Sequence, residues 1–581
     1  MVIALNRLMP GLAAVVASTR DARVADCVAG LVTGMVLIPQ AVAFSQLAGL
    51  PPQVGLAASM LPMLVYALLG SSRVLSVGPV SVAALMVAVV LAQAQHAQGG
   101  ASSLVIAAVL AAEGGVLLLL MALLRLDVLA RVFSHPVLGG FTVGAAIVIV
   151  LSQIKPLLGI SGSAKTGMSG VLSALDGQAW HTFLPGVIAA AALYLYANRL
   201  GVPLQAWLTK RVTAAVGLIA AKAGPMLIVF VAIVGTLLLT RNVAGSSILP
   251  WPVVGVVPSA LMHLQWSWLT QVDLAFALSL LPSAAMIALV GYVESIAVAE
   301  SLAQRRRESI NSRQELVALG AANIAGAFSG AMPVAGGFSR TMVNFSAGAR
   351  TQLATVVAVV VVSLFVAFAT GLFEWLPKFA LAAIIIVAVL PLLSLKEFKH
   401  LIATDWRDAV AWLATAVGVV VWGLEEGLLL GAALGLILFL VRAVRPHIAV
   451  LGRVSDSEHF RNVKRFNVKT YPSLLLVRFD DALSFLNAAS LETFVARELA
   501  LQPQIRHVVI NAAAINHIDT SGAHALERLA VNIAETGVTL HLAEVKGPVS
   551  DYLIATGCLK HLGSTVFLST EQAVAALVTA A

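Results

Sequence analysis

Ser76-Val77-Gly78-Pro79 and Gly336-Gly337-Phe338-Ser339-Arg340 interrupt otherwise lipid-compatible sequence. Each sets glycine beside a helix-starting signal in the middle of an apolar run. A helix that begins inside a membrane turns free backbone N–H groups and a partial positive charge into the protein. Two such half-helices, one in each half of a chain, mark a transporter with an inverted repeat and a binding site near the bilayer midplane. Arg340 adds a full charge to the second, so the pattern points to an anion.

The surrounding composition is that of a chain dissolved in lipid. Mean hydropathy is +0.94, 59% of residues are hydrophobic and 11% are charged, where a soluble domain carries about 25% charged residues. Apolar runs of about 20 residues recur from Val24 to Val444; we count roughly fourteen, several of them short or rich in glycine. Residues 1–23 lack the layout of a signal peptide and read as a cytoplasmic segment ahead of a transporter domain over 24–445. Cys27 and Cys558 suggest neither a disulfide framework nor a metal site. No nucleophile–base set, metal cluster or phosphate loop is legible, so neither an enzyme nor a cofactor is expected. The net charge of +8 reads as loop topology rather than nucleic-acid binding. Bases gather in alternate loops, as at Arg7, Arg20 and Arg23, at Arg125 and Arg131, at Arg305, Arg306, Arg307 and Arg313, and at Arg442 and Arg445. The intervening loops hold Lys155, Lys165, Arg241 and Lys378. By the positive-inside rule both termini face the cytoplasm, in a cell inner membrane.

At Arg445-Pro446-His447 the composition changes. Strands are expected at Leu474–Phe479, His507–Ile510 and Val538–Ala543. Helices are expected at Asn487–Ala500, Ser521–Glu535, Pro548–Thr556 and Thr570–Thr579. Strands alternating with helices imply a small α/β domain over 446–581.

Four sets of motifs carry a family resemblance. Ala29-Gly30-Leu31, Ile38-Pro39-Gln40-Ala41 and Leu47-Ala48-Gly49-Leu50-Pro51-Pro52 resemble the first-span signature of the sulfate permease (SulP) anion transporters. Gly70-Ser71-Ser72-Arg73 through Pro79 is similar to the family's third-span entry. Gly336 to Arg340, with Asn344 and Ala347-Gly348-Ala349-Arg350, is similar to its tenth-span motif. Ile518-Asp519-Thr520-Ser521-Gly522 resembles a turn of the STAS domain, the usual cytoplasmic partner of these spans. The resemblance implies an α-helical polytopic membrane protein of about fourteen spans in a 7+7 inverted repeat, a core domain moving against a gate domain, and a homodimer.

Several residues are candidates for the site. Pro79 fits the first turn of a helix, where its missing N–H has no partner to lose; Val77 and Gly78 lead into it. Ser339 offers a hydroxyl and a candidate N-cap beside Phe338. Arg340 at the bilayer centre must face a cavity or a partner, unless it snorkels to an interface. Gln40 and Phe44 lie four apart and share a helix face. The resemblance assigns Gln40, Phe44, Val77 to Pro79 and Phe338 to Arg340 to the substrate. Glu294 lies deep in a span with Gly291, Ala297, Val298 and Ser301 on its face. It reads as a proton-coupling group or as the static ion-pair partner of Arg340. Sodium-coupled relatives favour an aspartate there and a hydroxyl one turn on, where this chain has Val298, so sodium is the lesser expectation. Glu113 has no assigned role. Ser521 matches a serine phosphorylated in soluble proteins of the STAS fold, against a plain helix cap made by Asp519 and Thr520.

The expected function is secondary active transport of a small anion of the sulfate, bicarbonate or dicarboxylate class, coupled to protons by an elevator-like movement. The expected partners are that anion, the proton, membrane lipid, a second copy of the chain and a cytoplasmic protein on the STAS-like domain. The alternatives are an anion exchanger or uncoupled path and, in another class, a membrane-tethered signalling scaffold.

Overall fold

The computed structural model describes residues 9–96, 102–127, 134–157, 180–212, 214–242, 251–257, 264–455, 457–562 and 565–578. Arg7, Arg131 and Lys165 of the topology reading lie outside them. The chain divides into two compact units, Met1–Ala432 and Ala433–Ala581.

The first half of the helical unit runs α1 (Arg20–Leu47), α2 (Pro52–Ala58), α3 (Leu61–Leu69), β1 (Val77–Gly78), α4 (Ser81–His96), α5 (Ser103–Leu123), α6 (His135–Leu157), α7 (Trp180–Leu195) and α8 (Gly224–Asn242). The second half runs α9 (Leu274–Arg306), α10 (Ser312–Phe328), β2 (Ala335–Gly336), α11 (Phe338–Ser346), α12 (Leu353–Phe368), α13 (Lys378–Val389), α14 (Trp406–Val421) and α15 (Leu424–Val444). Each half repeats one plan of long helix, helix, short strand and helix. Each half's leading helix packs on the helix that follows the other half's strand-and-helix pair: α1 on α12, and α9 on α5.

Among the described residues, eight helical stretches are long and apolar enough to cross a bilayer, and three shorter apolar helices accompany them. That is fewer than the fourteen apolar runs. The fourteen runs are counted over the whole sequence, part of which lies outside the described residues.

Caps set the helix starts. Thr19 Oγ1 accepts from Ala22 N–H at α1, Asp273 Oδ1 from Phe276 N–H at α9 and Asn311 Oδ1 from Gln314 N–H at α10. Lipid supplies no hydrophobic drive between helices, so close backbone approach through small residues does that work. A Cβ at Gly30 would lie 2.4 Å from the Ala354 carbonyl oxygen, and one at Gly140 2.2 Å from that of Trp412. These glycines seat α1 on α12 and α6 on α14.

The C-terminal unit is a six-stranded sheet in the order β4 (Phe460–Asn462), β3 (Ile448–Arg453), β5 (Leu474–Phe479), β6 (His507–Asn511), β7 (Thr539–Ala543), β8 (Val566–Phe567). β5 to β8 are parallel, and β3 is antiparallel to both its neighbours. The helices α16 (Ala488–Leu501), α17 (Thr520–Ala534) and α18 (Gly547–Ala555) cover one face through Val477, Leu491, Val508, Ile510, Leu526 and Leu553. The final helix, α19 (Thr570–Val578), closes the other through Ala573 and Val574. The helix and strand expectations for this domain agree with the structure within a residue or so. β3, β4 and β8 were not anticipated.

His541 on β7 is buried, with its Nε2 3.3 Å from His507 Nδ1. Burial, reinforced by the charge of His507, pushes its imidazole down from 6.5 to about 4. Between those values the unfolded chain binds a proton that the folded chain refuses, so stability falls as the pH falls through that window. Scanning calorimetry of the full chain should show the C-terminal unit melting lower at pH 4.5 than at pH 7, because the lower pH lies between about 4 and 6.5 and the higher above both. His541→Phe should flatten that slope; an unchanged slope would assign it to other groups.

Candidate functional site

The two interrupted stretches meet. β1 and β2 pair antiparallel, Val77 opposite Gly336 and Gly78 opposite Ala335, and Gly337 N–H adds a bond to the Ser76 carbonyl at 3.3 Å. α4 starts just after β1 and α11 just after β2, so the N-termini of both helices flank one short ribbon. The first backbone bonds of these helices run from Ala84 to Val80 and from Thr341 to Gly337. The N–H groups of the turn before them have no helical acceptor, and they supply donors and partial positive charge.

Non-helical backbone in a membrane must be satisfied by the protein. Here side chains from the second half of the chain hold the stretch 71–79 from the first. Glu315 accepts from Ser71 and Ser72 N–H. Gln352 Nε2 donates to the carbonyls of Ser72 and Leu75, Asn344 Nδ2 to that of Val74, and Thr341 Oγ1 accepts from Ser76 N–H. Arg340 completes the set. Its Nε donates to Ser76 Oγ at 3.0 Å, Nη2 to the Ser76 carbonyl at 3.1 Å and Nη1 to the Pro79 carbonyl at 3.0 Å. The β2 side is held likewise. Asn323 brackets Val334, and Ser295 Oγ accepts from Gly336 N–H at 2.7 Å.

Arg340 is 2% exposed, so it does not snorkel. A guanidinium has five N–H donors; one N–H of Nη1 and one of Nη2 remain uncommitted among the described residues. Gly78 adopts φ +156°, and a Cβ there would lie 3.2 Å from Arg340 Nη2. Backbone conformation and the guanidinium's approach therefore both call for glycine at that position.

The other candidates fall around this core. Val77 is fully buried in the ribbon, and Gln40 and Phe44 are buried on α1. The Gln40 amide has no hydrogen-bond partner among the described residues, although it is only 6% exposed. Phe338 and Ser339 are exposed. Glu294 on α9 is half-buried, one residue before the Ser295 that holds β2, and Arg340 is the cation whose charge acts on it. Glu113 is half-buried, and its Oε2 has no hydrogen-bond partner among the described residues. In the other unit Ser521 is exposed on the first turn of α17.

Four expectations need correction. Ser339 is not the N-cap of α11: the helix begins at Phe338 with Gly337 in the cap position and no side-chain cap bond, because the ribbon runs right up to it. Pro79 precedes α4 instead of opening it; its carbonyl is taken by Arg340. No contact ion pair joins Arg340 to Glu294, since the guanidinium turns to Ser76 and Pro79. At α17 Asp519 alone caps, accepting from Gly522 N–H at 2.7 Å, while Thr520 meets the Tyr552 hydroxyl.

Glu315, Asn323, Gln352, Thr341 and Ser295 were missed as site-building residues. The available signal was a polar side chain in or just before a helix of the membrane unit, which must find a partner.

The sulfate permease family profile matches residues 24–415 and the STAS domain profile residues 465–573. A "Probable sulfate transporter" of Mycobacterium tuberculosis (strain CDC 1551 / Oshkosh) is 34% identical over 95% of this chain and 94% of its own length. "Sulfate transporter 4.1, chloroplastic" of Arabidopsis thaliana is 31% identical over 93% and 78%. Among solved structures, that of SLC26A9 superposes with a TM-score of 0.85 at 21% identity, over 100% of this chain and 94% of that one. The transmembrane domain of a cyanobacterial bicarbonate transporter, BicA, gives 0.56 at 20% identity over 69% and 96%.

Proposed function

This chain belongs to the sulfate permease family of multi-pass membrane anion transporters, and we propose that it carries a tetrahedral oxyanion of the sulfate class, together with protons, into the cell across the inner membrane. The observation that carries this reading is the β1–β2 ribbon, which sets two helix N-termini and the Arg340 guanidinium side by side. Backbone N–H groups at helix starts and a fixed guanidinium are complementary to an oxyanion. The uncommitted Arg340 donors, the Gln40 amide and the Ser339 hydroxyl are hydrogen-bond donors for its oxygens, with Val77, Gly78 and Pro79 as the backbone rim. Phe44 and Phe338 wall the site.

Glu294 supplies the coupling. While ionised, it offsets the charge of Arg340 and repels the anion. Once protonated, it leaves that charge to the anion, so proton and anion bind with positive cooperativity. The core bearing α4 and α11 moves as a body in an elevator-like step. Val298, buried one turn beyond Glu294, offers sodium no ligand oxygen from its side chain. In this reading the transport domain spans 24–445, the STAS domain follows at 446–581 in the cytoplasm and binds a protein partner there, and the chain works as a homodimer.

Radiotracer uptake into proteoliposomes tests the reading, with sulfate, bicarbonate and succinate presented with and without an inward proton gradient. Sulfate uptake should dominate and rise with the gradient. Equal uptake at all gradients would indicate exchange or an uncoupled path. Bicarbonate or succinate uptake without sulfate would overturn the cargo.

A further inference from the structure

We infer that Glu315 is a positioning residue for the anion site: a buried carboxylate that fixes the entry of the Ser76–Pro79 segment and thereby aims the first half-site. The inference rests on the reading of that segment as part of the anion site, and nothing in the sequence motifs assigned Glu315 a role.

Glu315 lies in the opening turns of α10 and is fully buried. Its Oε2 accepts from the Tyr66 hydroxyl at 2.7 Å. Its Oε1 accepts from Ser71 N–H at 2.8 Å, Ser71 Oγ at 2.7 Å and Ser72 N–H at 3.0 Å. A buried charge is costly unless paired or fully hydrogen-bonded. Among the described residues it is met by hydrogen bonds alone, and the neighbouring Arg73 pairs with Glu308 at 3.6 Å. Charge-assisted bonds of this kind are roughly twice as strong as neutral ones.

What Glu315 holds is the end of α3 and the turn beyond it. Gln314 Nε2 donates to the Leu69 carbonyl at 2.7 Å, and Asn311 N–H donates to Ser71 Oγ at 3.1 Å. From there the order passes along the chain. Ser72 Oγ accepts from Leu75 N–H at 3.2 Å, and Gln352 grips the carbonyls of Ser72 and Leu75. Ser76 follows, with the atoms that Arg340 and Thr341 hold. Among the described residues, only the Glu315 end of this run is fastened by a charged acceptor. Without it Ser71 and Ser72 N–H lose their acceptor, and the segment leading to Gly78 keeps only the neutral grips of Gln352, Asn344 and Thr341 and the Arg340 bonds, so its entry is less firmly placed against α11.

The test uses the full chain in lipid nanodiscs and proteoliposomes, with Glu315→Ala, Glu315→Gln, Tyr66→Phe and Ser71→Ala. One arm reads amide hydrogen exchange over residues 71–80. The other reads the apparent KM and maximal rate of uptake for whichever anion of the sulfate, bicarbonate and succinate panel the wild type carries. Glu315→Ala should speed exchange in 71–80 by about tenfold or more, the loss expected for buried donors left without an acceptor. It should raise KM by a similar factor while the maximal rate and exchange in α5 and α12 stay near wild type. Glu315→Gln should restore both readouts, since an amide oxygen can accept from Ser71 and Ser72 while its NH2 faces Tyr66. Tyr66→Phe removes one bond to Glu315, Ser71→Ala removes one bond to Glu315 and the bond from Asn311 N–H, and both should fall between. Unchanged exchange and KM in Glu315→Ala would overturn the inference. So would exchange raised throughout the helical unit with no rescue by glutamine, which would mark a packing role. If Glu315→Ala does not fold, Tyr66→Phe and Ser71→Ala decide by the same readouts. If the wild type carries no anion of the panel, the transport reading has failed, and the exchange arm still decides the role of Glu315.

Discussion

Arg340→Ala should abolish uptake and weaken anion binding by about ten- to a hundredfold, the equivalent of the roughly 1.5–3 kcal/mol of a hydrogen bond to a charged group. Two losses combine. The full positive charge disappears from between two helix N-termini, leaving only their partial charges. The carbonyls of Ser76 and Pro79 also lose the donors that hold them, in a buried place where an unmet acceptor is itself costly. Arg340→Lys separates the two. A lysine keeps the charge but cannot reach Ser76 and Pro79 at once with a planar fork. It should recover part of the binding and little of the transport. Calorimetric titration of purified protein with sulfate checks this, with melting temperature as the folding control. A well-folded Arg340→Ala variant that binds sulfate as the wild type does would remove Arg340 from the site.

The general character of the helical unit was legible because the lipid solvent imposes it: apolar runs, glycine contacts and the two broken segments are all visible in one dimension. The pairing of β1 with β2 was not. Two-residue strands 258 positions apart (Val77 and Ala335 are their first residues) carry no local pattern, and their register follows from how α9 and α10 deliver Gly336. Arg340 was singled out by charge, yet its partners were misassigned. The nearest opposite charge in sequence logic was Glu294, whereas the structure offers the guanidinium two backbone carbonyls that a broken helix leaves open. Ser339 was misread for a related reason. A serine beside a helix start usually caps it, but here the ribbon delivers Gly337 to that position. In the C-terminal unit β5, β6 and β7 were read from their buried apolar runs. β4 and β8 have only three and two residues and lie at the sheet edges, where burial imposes no alternation.

Glu294→Gln should uncouple uptake from the proton gradient while leaving the fold intact. Glutamine keeps the shape and part of the hydrogen-bonding capacity of the side chain but cannot exchange a proton. If the carboxylate carries the coupling proton, uptake driven by an inward pH gradient collapses to the level seen without one, and anion exchange at equal pH persists. The geometry makes a purely structural outcome distinguishable. A carboxylate that anchored Arg340 in a contact pair would leave a buried cation stranded when replaced, a loss of about 3–5 kcal/mol with a lower melting temperature. In this protein Arg340 is already held by Ser76 and Pro79, so the glutamine variant should melt close to wild type. The neutral side chain resembles the protonated carboxyl, and anion affinity at high pH, where wild-type Glu294 is ionised, should therefore rise in the variant. Gradient-driven uptake, equal-pH exchange, sulfate affinity across pH and melting temperature, all measured on the same variant, decide the matter. Full retention of proton-driven uptake would remove Glu294 from the coupling path and direct attention to Glu113, whose Oε2 is buried in α5 without a hydrogen-bond partner among the described residues.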